Sequence, residues 1–176
     1  MSVKLPDDYF ALFNLQPVFD VNLTDLATRY RALQRDVHPD RFANCSDAER
    51  RHAVQRAAEV NDAFQTLKDP LRRARYLLAL KGIETDDETD TVMDPEFLMR
   101  QMDLREELEQ VRTQQGRDRA NALDHLRRDL VSQFDDKMNA FRNAFIDDLA
   151  RARVVVRELQ FLRKFLDEIG CALEDT

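Results

Sequence analysis

Tryptophan is absent from this chain of 176 residues, glycine occurs three times and proline five. So few turn formers leave little from which to build hairpins and sheets, and the Ala, Leu, Arg, Asp and Glu that fill the sequence favour helix. Paired cysteines are missing too. Cys45 and Cys171 lie far apart and belong to no CxxC motif, so neither a disulfide framework nor a zinc module is written here, which fits a reducing compartment. No apolar run nears the roughly 20 residues of a membrane-spanning helix. The opening MSVKLPDDYF has no apolar signal core and no Arg/Ser-rich leader, so the expectation is a soluble, cytoplasmic protein without a membrane partner. A basic excess is lacking as well. Lys and Arg number 27 against 34 Asp and Glu, a net charge of -7, which argues against a general nucleic-acid binder but leaves room for a local basic patch.

What is present is helical periodicity. Asp7 and Asp8, after Pro6, cap a short apolar stretch from Tyr9 to Leu15 that ends near Pro17. Leu26, Tyr30, Leu33 and Val37 then recur at steps of four, three and four, one buried stripe of a second helix. Ser46 and Glu49 make a capping box ahead of a third helix striped by Ala53, Ala57, Val60, Phe64 and Leu67, antiparallel to the second. Asp69 and Pro70 stop it and start a fourth, PLRRARYLLALKG, closed by Gly82. The acidic, aperiodic IETDDETDTVM reads as a linker. The predicted boundaries are therefore a first domain over 1–82, a linker over 83–94 and a second domain over 95–176. In the second domain Asp94 and Pro95 cap a helix that reaches about Thr113, where QQG breaks it. A long helix follows with Leu123, Leu126, Leu130, Phe134, Phe141 and Phe145 along one side. The last carries Ala152, Val155, Leu159, Leu162, Leu166 and Ile169 up to Gly170. The chain is thus expected to be all-α, its second half an antiparallel three-helix bundle.

The second helix runs into DVHPDRF, residues 36–42. His38 and Asp40 as an acid–base pair, or as ligands with His52 or Cys45, would need a nucleophile or further ligands at a usable spacing. None is visible, and HExxH, GxSxG and glycine-rich phosphate loops are all missing. The chain is therefore expected not to be an enzyme and to carry no metal or cofactor. As a turn, Pro39 ends the helix and Asp40 bonds nearby backbone amides. Yet about 100° per residue puts Arg31 and Arg35 opposite the buried stripe, and Arg41 follows in the loop. A cationic face ending at a rigid, exposed turn suits docking to an acidic partner, which it can steer and orient.

A short helix, a second with a basic exposed face, His38-Pro39-Asp40, and a third carrying VNDAFQTLKDPLRRARY together resemble the J domain of DnaJ-type co-chaperones over about the first 80 residues. Val37 departs from the tyrosine found in many J domains but still fits the buried stripe. The resemblance implies that His38, Pro39 and Asp40 make the essential loop contact with an ATPase chaperone of the seventy-kilodalton heat-shock class. It also implies that Arg31, Arg35 and Arg41 supply the electrostatic complement and that the ATP belongs to the partner.

The second half lacks the Gly/Phe-rich and cysteine-rich modules of a generic DnaJ-type protein. In DPEFLMRQMDLREELEQ the core stripe is Phe97, Leu104, Leu108 and Val111. Leu98, Met99 and Met102 fall on the opposite side with Asp103 and Glu106, an apolar patch rimmed by acids that suits an adaptable contact surface. Phe161 lies off the last helix's stripe and either joins such a surface or fills a second seam of the bundle. With RARYLLALKG and the closing ELQFLRKF, this half resembles the HscB-type co-chaperones of iron–sulfur cluster assembly across essentially the whole chain. That resemblance implies an HscA-type chaperone and an IscU-type scaffold protein as partners. It implies scaffold contact through Leu98, Met99, Met102, Asp103, Glu106 and Phe161. Gln110 stands where bacterial relatives can have an acid, and the paired CxxC motifs of the animal branch are absent. A J-domain adaptor whose bundle recognises a different client, or self-associates, is the alternative.

Overall fold

The computed structural model describes residues 8–38, 46–85 and 95–174, with Glu96 by its backbone only. Seven helices follow one another: α1 (Tyr9–Leu12), α2 (Leu23–Val37), α3 (Asp47–Lys68), α4 (Pro70–Leu80), α5 (Pro95–Arg112), α6 (Gly116–Asp147) and α7 (Leu149–Glu174). All regular structure among the described residues is α-helical. They group into two units, Met1–Lys81 and Gly82–Thr176.

In the first unit α2 and α3 pair through the expected stripes. The Asn22 side chain caps α2 by accepting from the N–H groups of Thr24 and Asp25 at 3.0 and 3.1 Å. The capping box at α3 is formed: Ser46 Oγ accepts from the Glu49 N–H, and the Glu49 carboxylate accepts from the Ser46 N–H at 2.9 Å. The Ser46 hydroxyl, donating to the Glu49 carboxylate at 2.6 Å, and then the Ser46 N–H hold that carboxyl below the usual range, because they favour its charged form. Leu26 and Val37 of α2 are buried with Ala53, Val60, Ala63 and Leu67 of α3. The Tyr30 ring stacks on Phe64 with centroids 4.0 Å apart.

The stretch VNDAF owes its makeup to this packing. Val60 and Ala63 enter the core, Asn61 accepts from the Tyr30 hydroxyl at 3.3 Å, and Asp62 accepts from the Tyr9 hydroxyl at 2.7 Å. Tyr9 in turn stacks on Tyr76 at 4.6 Å, and its N–H donates to the Tyr76 hydroxyl oxygen at 2.8 Å. These contacts pin α1, a single turn rather than the helix to Leu15 that the apolar stretch suggested. The reason is local. Asn14 turns into the left-handed region at φ 52°, and the Leu15 N–H reaches back to the Phe10 carbonyl at 2.8 Å. Arg29 holds the turn by donating to the carbonyls of Phe13 and Asn14 at 3.0 and 2.9 Å.

The Asp62 hydrogen bond, then burial and the charge of Asp62, push the Tyr9 hydroxyl up to about 12. Its folded-state value lies above the ordinary tyrosine value near 10. The stabilisation is therefore fully present below pH 10 and lost as pH rises toward about 12. Tyr9→Phe keeps the ring stack but removes the hydroxyl. Denaturant titrations of this variant between pH 9 and about 12 should show a shallower loss of stability than the parent. A residual slope will remain, since burial also raises Tyr76.

Sequence periodicity did not foresee Arg73 in the interior. It is 7% exposed, donates Nη1 to the Leu67 carbonyl at the end of α3 and lies over the Phe19 ring at 5.2 Å. Burial lowers its pKa, opposed by the charges of Asp20 and Asp69. An arginine remains charged under such a shift, so it acts here as a cationic strut between the loop before α2 and the α3–α4 corner. At that corner Asp69 accepts from the Arg72 N–H at 2.8 Å and Pro70 opens α4.

In the second unit α6 and α7 run antiparallel. Lys137 pairs with Glu158, and Arg163 covers the Phe134 ring at 5.0 Å. Asp148 alone separates the two helices, and its carboxylate caps α7 by accepting from the Arg151 N–H at 3.0 Å. The core takes Leu123, Leu126, Leu130, Phe134 and Phe141 from α6, as the stripe predicts, and Met138 in addition. From α7 it takes Val156 and Phe165 beside the predicted Ala152, Val155, Leu159, Leu162 and Ile169, while Leu166 is only half-buried, so the buried arc is wider than one seam and shifted from the predicted stripe. Leu104, Leu108 and Val111 anchor α5, and the turn to α6 passes through Gly116 at φ 59°. Gly170 does not end α7. The helix continues to Glu174 with Ala172 buried, because a mid-helix glycine costs only about 1 kcal/mol against alanine.

Candidate functional site

Two surfaces, one in each unit, carry the residues singled out above. In the first unit His38 is the C-cap of α2, exposed, with φ −61° and ψ 127°. That extended geometry is what a residue preceding proline adopts, so the helix stops where the sequence says it should. Arg31 and Arg35 are exposed. Their Nε groups donate back to the carbonyls of Ala27 and Arg31 at 3.1 and 3.3 Å, laying the guanidinium groups along the outer face of α2. Pro39, Asp40, Arg41 and Cys45 lie outside the described residues. His52 is exposed on α3, and no group of three or more His, Cys, Asp or Glu side chains converges among the described residues.

In the second unit the first half of α5 is two-faced. Leu104 and Leu108 are buried, while Leu98, Met99 and Met102 are 43, 66 and 70% exposed. Three apolar side chains standing in water on a helix whose core positions are already filled do not serve the bundle. Asp103, Glu106 and Gln110 are exposed on the same helix. Phe161 is not alongside them as a free ring. It is half-buried, edge-on to Phe97 at 5.6 Å and tilted against Phe165 at 4.8 Å. It therefore lies in the seam between α7 and α5, touching the residue next to Leu98. Phe165, buried beneath it, was not foreseen. A helix face closed on two sides leaves no single stripe to mark it.

The chain matches two family models, one described as the DnaJ domain over residues 8–76 and one as the HSCB C-terminal oligomerisation domain over residues 93–170. A co-chaperone protein HscB homolog of Shewanella sp. (strain ANA-3) is 44% identical over 167 residues, an alignment spanning 92% of this chain and 94% of that protein. The chain belongs to the HscB family of co-chaperones. Solved structures agree. Chaperone HscB from Vibrio cholerae superposes with a TM-score of 0.83 at 38% identity, over 96% of this chain and 98% of that one. Human co-chaperone HscB gives 0.87 at 30% identity, over 97% of this chain and 86% of that one. As an HscB-family member with a DnaJ domain, the protein is a J-domain adaptor. No described helix is long and apolar enough to cross a membrane.

Proposed function

We propose that this HscB-family chain binds an IscU-type iron–sulfur scaffold protein with its C-terminal bundle and presents it to an HscA-type ATPase chaperone. Its J domain stimulates that chaperone's ATP hydrolysis. The observation that carries the reading is the exposed Leu98, Met99 and Met102 patch with Asp103 and Glu106 beside it. A protein that only triggered an ATPase would have no use for it. Phe161 contributes from the α7 side through its edge contact with Phe97. On the J domain, Arg31, Arg35 and Arg41 steer an acidic surface of the chaperone, and His38, Pro39 and Asp40 dock. Holding both partners on one chain replaces a second bimolecular encounter by an intramolecular one and raises the local concentration of scaffold at the chaperone. The cluster is cargo of the scaffold, so the purified protein is expected to be colourless.

The matched description of the C-terminal domain as an oligomerisation domain favours self-association as the second reading. Sedimentation velocity separates the two. On the scaffold reading the chain is monomeric over micromolar concentrations and shifts to a one-to-one complex when scaffold protein is added. A chain that dimerises alone and ignores the scaffold would support the second reading instead.

A further inference from the structure

The acidic stretch that looks like a linker does not begin as one. Arg153 of α7 donates its Nε–H to the carbonyl of Glu84 at 3.0 Å, and the next residue, Thr85, is only 6% exposed. The unit boundary falls between Lys81 and Gly82, not within the acids. Gly82 takes the left-handed conformation at φ 75° directly after the C-cap of α4, with open space around it. The chain therefore leaves α4, turns once at glycine and is caught by the C-terminal unit within two residues. Pro95, where α5 begins, belongs to the same unit. Glu84 and Thr85 thus belong with α5 and α7 to the C-terminal unit.

We propose that Arg153 is a positioning residue, which fastens the chain to the bundle at Glu84 and so keeps the connection between the two partner-binding surfaces short. The proposal rests on the tethering function above. A guanidinium donating to a backbone carbonyl is a charge-assisted hydrogen bond, stronger than a neutral one. Without it, the effective connection grows from the junction at Lys81–Gly82 toward the whole of 83–94. Coupling between two sites on one chain falls roughly as the −3/2 power of the length joining them.

The test uses the full chain carrying Arg153→Ala or Arg153→Lys, an HscA-type ATPase and an IscU-type scaffold. For Arg153→Ala, stimulation of the ATPase by the chain alone and affinity for the scaffold should match the parent. The extra stimulation seen with all three proteins present should fall about fivefold. Backbone amide exchange at Thr85, buried just after the anchored carbonyl, should speed up about tenfold. Arg153→Lys, which keeps a cationic donor, should recover most of both effects. Unchanged exchange with unchanged joint stimulation would overturn the proposal, as would a loss of joint stimulation explained by weaker binding to either partner alone. If the parent chain shows no joint stimulation, the tethering function fails. The exchange measurement then still decides the anchor: acceleration upholds it and parental rates overturn it.

Discussion

Replacing His38 by glutamine should reduce stimulation of an HscA-type ATPase by roughly 30-fold or more, the cost of losing one central contact of an interface. The fold should not notice, because His38 is exposed at the end of α2 and surface changes of this kind usually stay within about 0.5 kcal/mol. Helical content and denaturation midpoint therefore serve as controls. Scaffold affinity should also stay at its parental value, since the patch on α5 belongs to the other unit. Retained stimulation would remove the J-domain trigger from the account. The arginines behave differently. Reversing Arg31 and Arg35 to glutamate should slow association and flatten its salt dependence, because exposed charges act mainly on encounter.

The second large effect is expected from Leu98→Ala/Met99→Ala/Met102→Ala. A Leu or Met side chain buried from water contributes about 1.5–3 kcal/mol, and Met99 and Met102 begin 66 and 70% exposed. If the three are covered by the scaffold protein, their joint loss should cost about 3 kcal/mol or more, a drop in affinity of at least ~100-fold by calorimetric titration. The bundle should be unharmed or slightly stabilised. None of the three is buried, and alanine is the better helix former. Undiminished affinity would mean that the scaffold binds elsewhere. Stimulation of the chaperone by the variant alone should be unchanged, which separates the two surfaces.

Much of this was written in the sequence, because single-faced helices announce themselves. Leu26, Tyr30, Leu33 and Val37 repeat with one period, so the outward face with Arg31 and Arg35 follows by subtraction. Ser46 with Glu49 and Asp69 with Pro70 mark helix ends through chemistry that acts within a few residues. The exposed Leu98, Met99 and Met102 were legible for the same reason, as apolar residues out of phase with Leu104 and Leu108.

What resisted reading depends on contacts distant along the chain. Arg73 looks like a surface arginine until Phe19 and the Leu67 carbonyl meet it. Phe161 is equally compatible with patch and seam until Phe97 and Phe165 are seen beside it. Val156 and Phe165 are buried because α7 is covered over a wide arc, which blurs the period that a single stripe would give. The acids after Gly82 have linker composition, yet an arginine 69 residues away catches the first of them by its backbone, an interaction that side-chain composition cannot signal.

If one chain couples two partners, it and the scaffold must act on the chaperone together. The direct measurement is the steady-state ATPase rate of an HscA-type chaperone with this protein, with an IscU-type scaffold, and with both. The rate with both should exceed the product of the two separate stimulations, and His38→Gln and Leu98→Ala/Met99→Ala/Met102→Ala should each abolish the excess. Stimulations that merely add, or an excess that survives either variant, would contradict that coupling.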